Sequence, residues 1–301
     1  MMKRMYGNVM NALPLELSLS IQFFRHHGRF PSLSNPQSFS EKIQARKVRG
    51  RDPRYPILAD KYKVKEHIRS ILGDEWNIPT LWVGDKLPPI SERTWACPFV
   101  IKATHSSGQN IFVRSEGDVD WVGIESRVNS WLGEGLPKYI GEWHYSEIKP
   151  AIIVEPFIGN GESLPVDYKF FCFGGRVHFI QVDVGRGVNH MRAFYSADWK
   201  KLPFGLKHPV PVGDVRAPAS LGAMILGAEK LAAEFDFVRI DFYEVGERPL
   251  FGEITFFPGS GYERFSPPRY DLEFGRIWSE GVGRVCAVAA QHTAHVPGPA
   301  A

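Results

Sequence analysis

Residues 237–261, FVRIDFYEVGERPLFGEITFFPGSG, constrain this chain more than any other stretch. Two apolar runs flank VGERP, where Gly246 and Pro249 can turn the chain. In a strand, alternate residues share a face. Val238, Ile240 and Phe242 therefore point one way, and Arg239, Asp241 and Tyr243 the other. On the returning run, Gly252, Ile254 and Phe256 oppose Phe251, Glu253 and Thr255. A turn centred on Glu247 sets Asp241 opposite Glu253 and Arg239 opposite Thr255, all on one face. Directly opposed Cβ atoms lie about 4.5–5.5 Å apart, so two acids there need a cation between them. Mg²⁺ suits the place, because it takes carboxylate oxygens and leaves its other positions to water and phosphates. The same pattern also describes an exposed face with an Arg239–Asp241 or Arg239–Glu253 surface pair, and a one-residue slip would separate the acids.

Around this hairpin the texture changes along the chain. Residues 1–94 read as a helical N-terminal region: SFSEKIQARK carries a helix-start signal, and LADKYKVKEHIRSIL has Asp60 as a cap before helical spacing. Short strands follow at 98–104, 110–115, 151–158, 166–173 and 176–184, with amphipathic helices at 119–132 and 221–235. Gly174-Gly175 marks a two-residue hairpin turn. Mixed strands and helices with frequent hairpins predict an α+β chain, divided into a lid subdomain at 95–158, a core subdomain at 159–290 and a flexible tail at 291–301. With 301 residues and 44% hydrophobic content, the chain can bury one large core or two to three packed ones.

Bulk features narrow the function classes. A net charge of +3 gives no argument for nucleic acid. Three widely spaced cysteines argue against a disulfide framework and for a cytoplasmic location. No apolar run is long enough for a membrane span, and the scattered histidines make no zinc spacing.

Other pieces can handle a nucleotide. FVIKATHSSGQNIFV places Lys102 at a strand end before Ser106, Ser107 and Gly108, offering a charge and free backbone N–H groups to phosphates; it also fits a solvated hairpin turn. IIVEPFI ends a strand on Glu155-Pro156, where the edge could present backbone groups to an adenine, or be an ordinary strand and loop. Lys169 sits among aromatics in VDYKFFCFGG and could snorkel or reach a phosphate.

With those pieces in order, the chain resembles the ATP-grasp superfamily, and within it the TupA-like branch linked with teichuronopeptide and other surface-polysaccharide biosynthesis. ADKYKVKEHI, FVIKATHSSGQNIFV, IIVEPFI, VDYKFFCFGG and VRIDFY…FGEITFFPGSG occur in the family's order and span about residues 20–280. The resemblance implies two α+β subdomains clamping ATP. Lys61 and Lys102 would meet the phosphates under the 104–110 loop, including Ser106, Ser107 and Gly108. Glu155 and the backbone of Pro156, Phe157 and Ile158 would hold the adenine. Lys169 would contact phosphate or face the substrate, Arg239 would stabilise the transferred phosphoryl group, and Asp241 and Glu253 would hold one or two Mg²⁺ ions. D-alanine–D-alanine ligases end similarly but carry Asn where this chain has Thr255, whose shorter hydroxyl would join Asp241 and Glu253 at the metal directly or through water, which puts a second metal in doubt. The activity implied is an ATP-dependent carboxylate–amine ligase using an acyl phosphate. A sugar or alcohol kinase and a non-catalytic nucleotide- or polysaccharide-binding protein are the alternatives.

Overall fold

The computed structural model describes residues 2–159, 163–186 and 189–293. Its N-terminal stretch holds α1 (Met2–Ala12), α2 (Leu15–His27), α3 (Phe39–Arg49), α4 (Tyr55–Ala59) and α5 (Val64–Leu72). The start of α3 follows from its sequence: the Glu41 N–H donates to Ser38 Oγ at 3.3 Å, and the Ser38 N–H donates back to Glu41 Oε2 at 3.1 Å. Before α5, Asp60 Oδ1 accepts from the Tyr62 and Lys63 N–H groups at 2.8 and 3.0 Å. This fixes the turn that carries Lys61.

The stretch expected to be helical also contains a strand, β1 (Trp82–Gly84). It pairs with a strand 70 residues on, a long-range partnership that no local pattern announces (Trp82 lies opposite Val154). With β2 (Phe99–Ala103), β3 (Asn110–Val113) and β4 (Ile152–Pro156) it forms a small antiparallel sheet in the order β1-β4-β2-β3. Helix α6 (Trp121–Gly133) covers one face of it, burying Ile124, Val128 and Trp131 against Phe99, Ile101 and Val154.

A second, larger core surrounds a five-stranded antiparallel sheet. Its strands are β5 (Asp167–Phe173), β6 (Arg176–Val184), β7 (Met191–Tyr195), β9 (Phe237–Val245) and β10 (Arg248–Thr255), in the order β10-β9-β5-β6-β7. Two-residue β8 (Gly205–Leu206) pairs with β11 (Phe265–Ser266) beside it. The β5–β6 turn uses Gly174 and Gly175 at φ 55° and 75°, the left-handed pair that a tight hairpin requires. Helix α7 (Leu221–Ala232) packs on one face of this sheet, and α8 (Arg269–Thr293) crosses the other with α3. Helix α8 continues past residue 290, where the tail was expected to begin; 294–301 lie outside the described residues.

The face under α3 and α8 changes character along its strands. At one end Phe171, Phe173, Phe179 and Phe237 stack with Phe39, Phe274 and Trp278, at centroid distances of 5.0 Å for Phe39–Phe237 and 4.6 Å for Phe237–Trp278. Two and four residues further along, on the same face, come Lys169 and Asp167 on β5 and Arg239 and Asp241 on β9. The helices cover the aromatic end. The charged end faces a cleft toward the small sheet.

The β9–β10 hairpin reaches the expected pairing by a different route. Its turn is the two-residue Gly246-Glu247, both at positive φ (55° and 62°), and not one centred on Glu247. That turn pairs Arg248 with Val245 and Phe251 with Phe242. A bulge at Gly252 then inserts one residue, so that Glu253 meets Asp241 and Thr255 meets Arg239. Phe251 therefore does not share a continuous alternation with Glu253. Glycine suits the bulge, since a Cβ there would lie 3.0 Å from the Asp241 carbonyl oxygen.

Candidate active site

The cleft holds about 220 Å³ and is lined from both sheets. Lys61, Lys65, Lys102, Ser107, Gly108, Asn110 and Glu155 face Asp167, Lys169, Arg186, Asp241, Tyr243, Phe251 and Glu253. The structure thus assembles most residues singled out in the sequence, although they are spread over nearly 200 positions.

On the small-sheet side, Glu155 is buried between two lysines. Lys65 Nζ lies 2.5 Å from Oε1 and Lys102 Nζ 2.7 Å from Oε2. Burial alone would raise this carboxyl; the two ammonium groups outweigh it and hold its pKa below the usual value. Both oxygens are engaged, so Glu155 here positions lysines. Lys61 donates to the Ser106 carbonyl, tying α5's leading turn to the glycine loop. Among the described residues Lys61 has no carboxylate within ion-pair reach, so its charge is the one left over for an incoming anion. Burial brings its pKa down to about 8, still charged at neutral pH. Ser106 Oγ donates to Gln109 Oε1 within the loop, while Ser107 and Gly108 reach the cleft.

Pro156, Phe157 and Ile158 do not line the cleft. The Phe157 N–H donates to the Pro98 carbonyl at 3.0 Å, extending the β2–β4 ladder, and proline has no N–H. The Phe157 ring turns instead toward Phe112, 5.8 Å away. Of the four-residue stretch expected at an adenine, only Glu155 faces the space.

On the large sheet, Arg239 occupies the place between the two acids. Its Nε and one amino group donate to the two Asp241 oxygens, both at 2.7 Å, and the same amino group reaches Glu253 Oε1 at 2.5 Å and Thr255 Oγ1 at 3.0 Å. Lys169 Nζ bridges Asp241 (2.5 Å) and Asp167 (2.6 Å), and Arg186 holds Asp167 at 2.9 Å. Burial lowers the Lys169 ammonium, but Asp167 and Asp241 outweigh it, so its pKa rises. Burial pushes the Asp241 carboxyl up despite its cations, whereas Arg239 and Lys169 overcome burial at Glu253 and bring it down to about 2. The bland surface-pair reading fails on burial: Asp241 is 1% and Arg239 9% exposed.

These residues fit Mg²⁺. Asp241 and Glu253 face each other across the paired strands, and an ion that shares its coordination with phosphates asks for one or two carboxylates. Glu253 keeps 45% of its side chain open to the cleft, and its Oε2 makes no hydrogen bond among the described residues. Asp167 Oδ1 is likewise buried without a partner. No group of three or more His, Cys, Asp or Glu with metal-holding geometry occurs among the described residues. Thr255 is placed as a support: its hydroxyl donates to Glu253 Oε1 at 2.8 Å while accepting from Arg239.

Sequence reasoning missed Lys65, Asp167 and Arg186. Two carried a signal. Lys65 lies four residues after Lys61, one helical turn on, and Asp167 lies two before Lys169 on the same strand face. Arg186 carried none, because its approach depends on how β6 ends.

A family model described as TupA-like ATPgrasp matches residues 41–278. No curated protein matches the sequence. Among solved structures, D-alanine–D-alanine ligase from Helicobacter pylori is 14% identical, with 75% of this chain and 58% of that one covered and a TM-score of 0.42. The Bacillus anthracis D-alanine–D-alanine ligase is 14% identical over 78% of this chain and 68% of that one, with a TM-score of 0.44. The L-amino acid ligase from Bacillus licheniformis is 16% identical over 74% and 49%, with a TM-score of 0.40. No described helix is long and apolar enough to cross a membrane.

Proposed function

The chain belongs to the TupA-like ATP-grasp family, and from that premise we propose that it is an ATP-dependent carboxylate–amine ligase. One observation supports the reading: Asp241 and Glu253, both bonded to the buried Arg239 behind them, face Lys61 and Lys102 across a cleft. The cleft joins acids suited to a divalent ion with an uncommitted cation suited to a phosphate.

A carboxylate oxygen of the acid substrate attacks the γ-phosphorus of ATP, ADP leaves, and an acyl phosphate remains. An amine then attacks the carbonyl carbon, the bond to the phosphate oxygen breaks, phosphate departs with the bonding electron pair, and the amine nitrogen gives up a proton to the departing phosphate. Lys61 and Lys102 bind phosphate oxygens, and the 104–110 loop excludes water over them. Arg239 meets charge that develops on the transferred group. Asp241 and Glu253 would hold a Mg²⁺ ion, which would supply neutralisation of phosphate charge. The carboxylate belongs to a sugar polymer or a small precursor, the amine is an amino acid or a similar nucleophile, and the reaction runs in the cytoplasm, where ATP is supplied.

Hydroxylamine trapping tests the proposal. Incubation with MgATP and a panel of acids should give an ATP-dependent hydroxamate with one of them, and Asp241→Asn with Glu253→Gln should abolish it. Phosphate retained on the product, with no hydroxamate from any acid, would refute the ligase reading in favour of a kinase.

A further inference from the structure

Helix α3 carries a lysine the site has not yet used. Lys47 is 0% exposed, yet it is a charged side chain. Its Nζ donates to the Ser260 carbonyl at 2.9 Å and to Ser260 Oγ at 2.7 Å, and Gln44 Nε2 donates to the same carbonyl at 2.9 Å. The lysine stem packs near Gly141, Leu15 and Leu19, and its head lies 4.7 Å from the Tyr262 ring centroid. Glu142 is the charged group facing it.

The clamped segment is unusual. Gly259, Ser260 and Gly261 have φ of 54°, 55° and 70°, three left-handed residues in a row. Glycine accepts that region freely, but a serine there is strained. Pro258, Gly259 and Gly261 wall a small pocket that Lys169, Arg192 and Arg239 also line. This turn follows β10 directly, so its shape sets one side of the space beside Arg239.

We propose that Lys47 is a positioning residue: it holds Ser260, and with it the Pro258–Gly261 turn, in the left-handed form that shapes the pocket beside Arg239 and Lys169, where the transferred phosphoryl group is received. The proposal rests on the phosphoryl-transfer step of the function proposed above. A methionine of similar length would fill the same space without burying a charge. Burial brings the ammonium down to about 7 from its unfolded value, so the cost of burying its charge grows as pH falls from that unfolded value and is complete below about 7.

Trapping of MgADP with orthovanadate, a mimic of the transferring phosphoryl group, reads the pocket without knowledge of the acid or amine. Lys47→Met should weaken the trapped complex about ten- to a hundredfold, the scale of a lost charge-assisted hydrogen bond, with MgADP affinity alone unchanged. Adding Ser260→Gly to that variant should restore most of the trapping, because glycine holds the left-handed form without a clamp. If Lys47→Met does not fold, Ser260→Ala decides, and it should weaken trapping in the same direction. Wild-type trapping by Lys47→Met or, failing it, by Ser260→Ala would overturn the role of Lys47 and leave the proposed function standing. Equal loss with and without Ser260→Gly would overturn the turn-holding argument. Failure of the wild type to trap at all would sink phosphoryl transfer itself, and this proposal with it.

Discussion

Replacing Arg239 with methionine isolates the cation between Asp241 and Glu253. The variant loses both bonds to Asp241 and those to Glu253 and Thr255, leaving Asp241, 1% exposed, with Lys169 alone. Breaking a buried pair by removing one partner costs about 3–5 kcal/mol. For a chain of this size that is a drop of roughly 5–8 °C in melting temperature. The two acids then repel across the hairpin, so a divalent ion should bind the variant more tightly than the wild type, where Arg239 competes for the same oxygens. Added Mg²⁺ should therefore raise the variant's melting temperature by more than the wild type's, through ordinary ligand linkage. Differential scanning fluorimetry across a Mg²⁺ series, with Ca²⁺ and Na⁺ at matched ionic strength, gives both numbers. An unchanged melting temperature would refute the burial argument. Equal Mg²⁺ shifts in the two proteins would refute the claim that Arg239 and the ion share one carboxylate pair.

Lys61→Met should lower MgATP affinity about tenfold or more by calorimetry, as expected for loss of an ion pair to phosphate. Wild-type affinity should also fall as pH rises through about 8, where Lys61 loses its proton, and the variant should lack that limb. Asp183, held down to about 2 by Arg192 against the effect of burial, contributes stability that is full above its unfolded value and lost as pH falls toward 2. Asp183→Asn should flatten that acid limb in urea titrations. Gly252→Ala pushes a Cβ to 3.0 Å from the Asp241 carbonyl and should cost about 1–3 kcal/mol, with Mg²⁺ response weakened because the acids lose their register.

What could be read ahead of the structure was whatever alternation and local turns decide. The inward set of Arg239, Asp241 and Glu253 follows from the two-residue repeat of a strand, and the Gly174-Gly175 turn from glycine's freedom at positive φ. The pairing of Asp241 with Glu253 was reached through a turn position that is off by half a residue; the bulge at Gly252 absorbs the difference. What could not be read depends on contacts between distant segments. The Phe157 N–H is taken by Pro98, and Glu155 by Lys102, only because β2 and β4 are neighbours, and Lys65 reaches Glu155 only because α5 packs beside them. The partner of Lys47 is of the same kind, since Ser260 lies 213 residues further along the chain.

The aromatic end of the large sheet has a consequence for biosynthesis. Phe171, Phe173 and Phe237 are made well before Phe274 and Trp278, which cap them. A nascent chain that has completed every strand still shows a bare patch of rings to the crowded cell until α8 emerges, and Gly281 can then seat against Gly174, where a Cβ would sit 2.7 Å from opposing backbone. Premature termination just ahead of α8 should therefore yield a sticky, chaperone-dependent product, although every residue assigned to the cleft has already been made.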